Sequence, residues 1–151
     1  MYSKKQMEDV IFGKKMERIV RPHLEKYFKE SIISYGDEFS RQDFHSYKSV
    51  YELKSRKDIT SKTYSTIMIG CNKAILNDDD LGKTLYFCFY FTDGLFYIKY
   101  NKEQFKNWIK PFRRTDRGSF DKPTNVFYIP NHLLTKIEIK KKEDEIIQKE
   151  N

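Results

Sequence analysis

The aromatic and apolar run at residues 84–92, TLYFCFYFT, constrains the fold more than any other feature of the sequence. A strand that is buried on one face alternates apolar and polar residues, whereas a nearly continuous apolar run is typical of a strand that is buried on both faces. Asp93-Gly94 follows as a typical hairpin turn, and a second apolar segment occupies residues 95–100. The sequence therefore predicts a hairpin in the interior of a sheet that is covered on both sides.

The N-terminal third predicts helix followed by strands. Residues 4–20 place apolar side chains at helical spacing. Pro22 is expected to end or kink this helix and to begin a second helical segment. Residues 32–55 are strand-like, and turns at Gly36-Asp37 and at residues 46–49 divide them into as many as three short strands.

Further along the chain, apolar residues return to helical spacing over residues 61–76, which predicts a second amphipathic helix. The acidic residues 77–80 are expected to form a solvated exit from that helix. A short helix at residues 102–109 and a strand at residues 125–129 complete the pattern. The predicted fold class is α/β, with a mixed central β-sheet flanked by helices.

The length of 151 residues fits one domain that needs neither a disulfide nor a structural metal, and we expect it to span residues 1–139 with a charged tail at 140–151. Cys71 and Cys88 lie in apolar patterns and are expected to be reduced thiols. No apolar run is long enough to span a membrane, and no secretory signal follows Met1. The sequence thus predicts an intracellular protein with no membrane partner, without distinguishing cytoplasm from nucleus.

The charge balance favours a polyanionic partner. The chain carries 29 Lys and Arg against 22 Asp and Glu, a net charge of +7, which would attract DNA by counterion release. An AT-rich genome would also enrich lysine, so charge alone is a weak indicator. The basic cluster after residue 109 is a candidate phosphate-binding surface or, equally, a solvated loop; it comprises Lys110, Arg113, Arg114 and Arg117.

A carboxylate and an ammonium group share one face of the strand-like segment 49–55, SVYELKS. Side chains alternate faces along a strand, so Glu52 and Lys54 point to the same side. If the preceding reversal is centred after Tyr47, antiparallel pairing places Asp43 opposite Glu52, with Cβ atoms about 5 Å apart. Facing carboxylates repel each other unless a cation lies between them. The arrangement suits Mg2+, which binds carboxylate oxygens and activates water for phosphodiester hydrolysis.

Asp43 followed by Tyr51-Glu52-Leu53-Lys54 resembles the PD-(D/E)XK nuclease superfamily, in which an acidic residue on one strand precedes an ExK strand. With Ser55-Arg56 the segment reads ELKSR, which is similar to the ExK strand of archaeal-type Holliday-junction resolvases. The first helix of that family often supplies a Glu, and Glu17, four residues after Gly13, matches this position. The resemblance implies a restriction-endonuclease-like fold.

The resemblance also implies roles for individual residues. Asp43 and Glu52 would hold Mg2+, or Mn2+ as a substitute, with help from the Leu53 carbonyl. Lys54 would orient the attacking water, Glu17 would support the site, and Arg56 would contact nucleic acid. The helix after the ExK strand usually adds a polar side chain, for which helical periodicity favours Asn72 over Lys73.

Two departures from the family pattern and several alternatives stay open at this point. Gln42 stands where the family has proline, and Asp37 is a rival to Asp43 for the first acidic position. The implied function is a Mg2+-dependent DNA endonuclease. The alternatives are a Holliday-junction resolvase, which would need a homodimer, and a non-catalytic nucleic-acid-binding module with the same fold. Taken alone, the bare motif is better explained by a surface hairpin with one cross-strand ion pair, and the helix order, Glu17 and the basic charge are what favour the nuclease.

Overall fold

The computed structural model describes residues 3–35, 40–112, 124–139 and 147. The helices in these ranges are α1 (Lys4–Phe28) and the single-turn α2 (Lys102–Phe105). Short 3-10 turns occupy Cys71–Ala74, Asp78–Asp80, Lys106–Trp108 and Asn131–Leu133. The strands are β1 (Ile33–Ser34), β2 (Phe44–His45), β3 (Ser49–Ser55), β4 (Thr66–Gly70), β5 (Thr84–Phe91), β6 (Gly94–Lys99), β7 (Ile109–Phe112), β8 (Thr124–Pro130) and β9 (Thr135–Ile137).

The described strands form two sheets. The larger sheet has the order β1-β2-β3-β5-β6-β9, and the smaller has the order β4-β8-β7. The β3–β5 pair is parallel, whereas the other neighbours in the larger sheet are antiparallel. The smaller sheet is antiparallel. The prediction of an α/β protein with a mixed central sheet is therefore confirmed.

The larger sheet is covered by a different kind of layer on each face. On one face the buried stripe Met16, Val20 and Leu24 of α1 packs with Tyr51 and other side chains of the sheet. On the other face the smaller sheet contributes the buried side chains Ile67, Ile69, Phe127 and Ile129, which pack with Val50, Phe87 and Phe89. Successive residues of β3 and β5 thus enter opposite cores, as the continuous apolar run predicts. Helices on both faces were expected, but a sheet takes the place of the second helical layer.

The helix predicted over residues 61–76 is wrong. This segment forms β4 and a 3-10 turn, and β4 pairs with β8. Ile67 and Ile69 are both 4% exposed and alternate with partly exposed neighbours, so the period of two prevails over the helical spacing. Tyr64 and Ile75, the two ends of the supposed apolar stripe, are 60% and 53% exposed. A β-branched segment with a pairing partner is more stable as a strand.

The expectation that Pro22 ends the first helix and begins a second one is also wrong, because α1 continues through it to Phe28. Proline inside a helix removes one main-chain hydrogen bond and costs about 3 kcal/mol. Val20 and Leu24 lie on either side of Pro22 and are fully buried against the sheet. Burial of this stripe offsets the local cost and keeps the helix continuous.

Several local predictions are confirmed. Three short strands form between residues 32 and 55, a strand covers residues 125–129, and β5 and β6 form the expected hairpin. Gly94 has a φ of 142°, which side-chain-bearing residues rarely adopt. The predicted helix at residues 102–109 is shorter, because Ile109 begins β7.

Three further observations concern Ile147, the two cysteine thiols and the hydropathy of the described helices. Ile147, in the segment predicted as a charged tail, is buried in the core beneath α1. Cys71 and Cys88 are free thiols, half-buried and buried respectively. Among the described helices, none combines the length and the hydropathy that a membrane span requires.

Candidate functional site

The β2–β3 hairpin brings Asp43 and Glu52 together. Phe44 pairs with Tyr51, and His45 with Val50. The same register places Asp43 opposite Glu52, as the sequence predicts. The Asp43 Oδ2 atom accepts a hydrogen bond of 2.7 Å from the main-chain N–H of Leu53, which fixes this carboxylate beside the ExK strand.

Helix α1 adds Glu17 to the two acids, and the three residues form what we call the acidic cluster (Glu17, Asp43, Glu52). Asp43 lies close enough to both glutamates for its negative charge to raise the pKa of each. The three carboxyl groups therefore interact, and the charge of Asp43 favours the protonated form of both glutamates.

Burial and mutual repulsion explain the unusual acidity of the cluster. Burial, followed by the charge of Asp43, raises the pKa of Glu17 to about 7 from an ordinary value of 4.5. The Glu52 residue is only 6% exposed, and burial, again followed by the charge of Asp43, raises its pKa well above the ordinary value. The pKa of a carboxyl group is seldom raised this far except where desolvation and like charge act together.

Two lysines contact the acidic cluster, and Lys54 shares the strand β3 with Glu52. The Lys73 Nζ atom lies 3.4 Å from Glu52 Oε2, and the Lys14 Nζ atom lies 3.9 Å from Glu17 Oε1. Both ammonium groups lower the pKa of their partners, but less than burial and Asp43 raise it. The Lys54 ammonium donates to the Met68 carbonyl of β4, which fixes it between the two sheets. The site thus combines carboxylates with cations that can contact a phosphate.

Gln42, which stands where the nuclease family has proline, positions the segment that carries Lys73. The Gln42 side chain is 2% exposed, and its amide group donates hydrogen bonds of 2.8 Å to the Lys73 and Ile75 carbonyls. The Lys73 ammonium in turn donates to the Arg41 carbonyl at 2.7 Å. These contacts hold the 3-10 turn of residues 71–74 against the segment that precedes Asp43.

The donor atoms of the acidic cluster fit a hard cation such as Mg2+. Glu52 Oε1 is buried and accepts no hydrogen bond from the described residues, so one carboxylate oxygen is available. Within the described ranges, no set of three or more His, Cys, Asp or Glu side chains is already arranged as a metal site. Mg2+ commonly takes one or two carboxylates and completes its shell with water and phosphate oxygens. Asp43 and Glu52 meet that requirement.

The structure separates the other predicted site residues from the acidic cluster or leaves them untested. Asn72 is exposed on the 3-10 turn, whereas its neighbour Lys73 contacts Glu52. Leu53 is buried, and the role of its carbonyl as a ligand stays a prediction. Arg56 is half-buried directly after β3, and its main-chain N–H donates to the Tyr90 carbonyl.

Most of the predicted basic cluster lies outside the described residues. Lys110 is exposed on β7, where its ammonium lies 5.8 Å from the centre of the Tyr128 ring. Arg113, Arg114 and Arg117 fall in the range that the structure does not describe, as does Asp37. Their predicted roles in nucleic-acid or metal binding stay predictions.

Sequence reasoning considered Lys73 and Gln42 but assigned neither of them a role in the site. A helix over residues 61–76 would have turned Lys73 away from the sheet, so the error about secondary structure led to the preference for Asn72. A strand followed by a tight turn would have placed residues 71–74 at the end of β4, close to the ExK strand. The β-branched pattern of Thr66, Ile67 and Ile69 was the available signal.

Comparison of the sequence with models of known protein families, and separately with curated proteins, gave no match. A function can therefore be inferred only from the residues and their arrangement.

Proposed function

We propose that the protein is a Mg2+-dependent DNA endonuclease with a restriction-endonuclease-like fold. The observation that carries this proposal is the acidic cluster: the three acids that the PD-(D/E)XK resemblance implies come from a helix, a strand end and the next strand, yet they converge. The pKa values of Glu17 and Glu52 are raised. Strongly perturbed acids that meet at one place are typical of catalytic sites.

A purely structural role explains the cluster poorly. Glu52 is buried with one oxygen that lacks a hydrogen-bond donor among the described residues, and Asp43 lies against it. Such an arrangement destabilises the fold, and proteins keep it mainly where function requires it. A bound divalent cation would remove the repulsion and would use the free oxygen.

The proposed chemistry assigns a task to each residue of the cluster. Asp43 and Glu52 would hold Mg2+, which when bound supplies a Lewis acid for the phosphate and lowers the pKa of a bound water. Glu17 would act beside Asp43 as a proton acceptor, because a pKa of about 7 suits general base catalysis at neutral pH.

Lys54 and Lys73 would stabilise negative charge on the phosphate in the transition state. Each ammonium has three donors, and a main-chain carbonyl fixes one of them in both residues. In the proposed complex, a substrate oxygen would accept a hydrogen bond from each ammonium group. Preorganised donors of this kind account for a large part of many rate enhancements.

The order of elements also supports the finer fold assignment. A long helix carries Glu17, a short strand leads from Asp43, and the ExK strand pairs in parallel with β5 in a mixed sheet. The family's helix after the ExK strand is missing here, and β4 with the turn at residues 71–74 occupies its place. Lys73 on that turn would supply the polar group that the helix usually provides.

A cleavage assay tests the proposal. Wild type, Glu52→Gln and Lys54→Ala are incubated with Mg2+ or Mn2+ and with duplex, single-stranded and four-way-junction DNA. We expect metal-dependent cleavage by the wild type of at least one substrate and a loss of at least about 100-fold in both variants, whose circular dichroism should match the wild type.

The substrate panel also separates the alternatives. Preference for the four-way junction, together with a dimer in solution, would favour the resolvase. Metal-independent DNA binding without cleavage of any substrate would leave the non-catalytic binding module. Wild-type cleavage by Glu52→Gln would contradict the site assignment.

A further inference from the structure

A second polar site lies at the other end of α1 from the acidic cluster. A concave pocket of about 510 Å³ is formed by the segment after α1, by the β2–β3 turn and by Lys83. From Glu17 to the last residue of α1 the helix rises about 17 Å, which separates the pocket from the acidic cluster. A pocket of this size is large enough for a nucleotide unit.

The charged groups at the pocket wall favour an anion. Lys29 and Lys48 are exposed, and neither forms an ion pair or a side-chain hydrogen bond within the part of the chain that the structure describes. Lys83 is fixed at the wall by Asp80 Oδ1 at 2.8 Å and by the Ser46 carbonyl at 2.7 Å. Two exposed ammonium groups are therefore available to phosphate oxygens.

The negative groups nearby are already engaged. Glu30 Oε2 accepts hydrogen bonds from the hydroxyl groups of Ser46 at 2.9 Å and of Tyr51. Asp80 is paired with Lys83. The last carbonyls of α1 also carry partial negative charge, but main-chain N–H groups of Lys29 and Glu30 cap the Glu25 carbonyl. The pocket keeps an excess of positive charge.

The β2–β3 turn presents an aromatic ring next to these lysines. Tyr47 is 92% exposed, and its ring makes no aromatic contact with any described residue. An exposed ring of this kind contributes nothing to the fold, whereas it offers a flat surface on which an unpaired base can stack. Lysines beside an exposed aromatic are the usual composition of surfaces that bind single strands.

We propose that this pocket, which we call the turn pocket (Lys29, Tyr47, Lys48), binds an unpaired strand of nucleic acid. Lys29 and Lys48 contact phosphates and the Tyr47 ring stacks on a base. The inference rests on the proposed function in one respect. For cleavage, the nucleic-acid strand that is bound in the turn pocket would continue over a few nucleotides to the acidic cluster. It names a substrate class: nucleic acid with a single-stranded segment beside the cleaved bond.

Fluorescence anisotropy with a labelled oligothymidylate, in EDTA and at low salt, tests the turn pocket without any cleavage. Tyr47→Ala should weaken binding by roughly 5- to 100-fold, the usual range for loss of one stacked base. The double variant Lys29→Ala/Lys48→Ala should reduce the slope of log affinity against log salt by about 1.4, if both lysines contact phosphates. The double variant Tyr64→Ala/Lys62→Ala is the control. It removes an exposed tyrosine and an exposed lysine outside the turn pocket and should bind the oligothymidylate as tightly as the wild type does.

The outcomes separate this inference from the nuclease proposal. Wild-type affinity in both pocket variants, or an equal loss in the control variant, would overturn the turn pocket even if the protein cleaves DNA. Tyr47-dependent binding of oligothymidylate by a protein that cleaves no substrate would support the pocket and contradict the nuclease.

Discussion

Two buried carboxylates of this protein, Glu52 and Asp80, have opposite electrostatic surroundings. Both are almost inaccessible, at 6% and 4% exposure, and both lie near a lysine ammonium. Burial alone would raise the pKa of Asp80, but hydrogen bonds from Lys83 and Tyr35 outweigh it, and its pKa lies below the ordinary value. The pKa of Glu52 is raised, because burial and Asp43 outweigh Lys73.

The difference lies in the partners and not in the depth of burial. Asp80 Oδ2 accepts a hydrogen bond of 2.6 Å from the Tyr35 hydroxyl, and Oδ1 lies 2.8 Å from Lys83 Nζ. Glu52 has a longer contact of 3.4 Å with Lys73 and an oxygen without a donor among the described residues. Asp80 therefore stabilises the fold as it stands, whereas we propose that a bound cation completes the acidic cluster.

The largest expected difference concerns cleavage. Glu52→Gln should reduce metal-dependent cleavage by at least about 100-fold, because the amide is a poor ligand for Mg2+. Asp80→Asn should cleave at nearly the wild-type rate per folded molecule, since Asp80 contacts none of the proposed ligands. Equal losses in the two variants, measured at a temperature where both are folded, would mean that the comparison does not separate function from stability.

The second difference concerns stability without metal, which only one of the two variants should lose. Asp80→Asn loses charge-assisted hydrogen bonds and leaves Lys83 without its carboxylate partner, so the free energy of unfolding should fall by about 2 kcal/mol. Glu52→Gln removes a repelling charge and should not lower the free energy of unfolding at pH 8. Urea unfolding in EDTA at pH 8 measures both. A fall of similar size in Glu52→Gln would show that its carboxylate is a stabilising group.

A third difference concerns pH. The folded pKa of Glu17 is about 7 and its ordinary value is 4.5, so between these values the folded protein binds more protons than the unfolded chain. Its stability should therefore fall as pH rises through that window, and Glu17→Gln should lose less stability from pH 5 to pH 8. The effect of Asp80 on the pH dependence of stability has the opposite sign. Its carboxylate stabilises the fold above its ordinary pKa of 3.8, and this stabilisation is lost as the pH falls below that value.

The pH difference is measured by unfolding wild type and Glu17→Gln in EDTA at several pH values. Parallel curves between pH 5 and pH 8 would mean that Glu17 does not hold its proton in the folded protein. Asp80→Asn serves as the control, because its curve should parallel the wild type in this window.

The smallest expected effect is that of Gln42, which acts only through the position of Lys73. Gln42→Ala removes the two hydrogen bonds to the Lys73 and Ile75 carbonyls and should reduce kcat about 10-fold with little change in KM. Gln42→Glu, which keeps the length of the side chain but cannot donate both bonds, should behave similarly. A change in KM alone would mean that Gln42 affects substrate binding and not the position of the ammonium.

The sequence predicts local features of this protein well. The hairpin that places Asp43 opposite Glu52 depends on a short turn and on alternation, both of which are visible in neighbouring residues. The run at residues 84–92 is likewise buried on both faces. Both predictions rely on contacts between residues that are close in sequence or on the periodicity of one strand.

Features that depend on distant partners could not be predicted. The strand β4 exists because β8, some sixty residues later in the chain, pairs with it, and this pairing brings Lys73 to Glu52. Asp80 was expected in a solvated acidic loop, but Tyr35, which precedes it by 45 residues, supplies a hydrogen bond to its buried carboxylate. The continuity of α1 through Pro22 likewise depends on packing against the sheet.

Calorimetric titration of the protein with Mn2+ and with Mg2+, without nucleic acid, tests the central claim most directly. The account predicts saturable binding by the wild type, a proton release that is larger at pH 6.5 than at pH 8 because Glu17 has a pKa of about 7, and a rise in melting temperature with metal concentration. Asp43→Asn and Glu52→Gln should bind much more weakly, whereas Asp80→Asn should bind as the wild type does. Binding that is unchanged in Asp43→Asn and Glu52→Gln, or no saturable binding by the wild type at millimolar metal, would contradict the account.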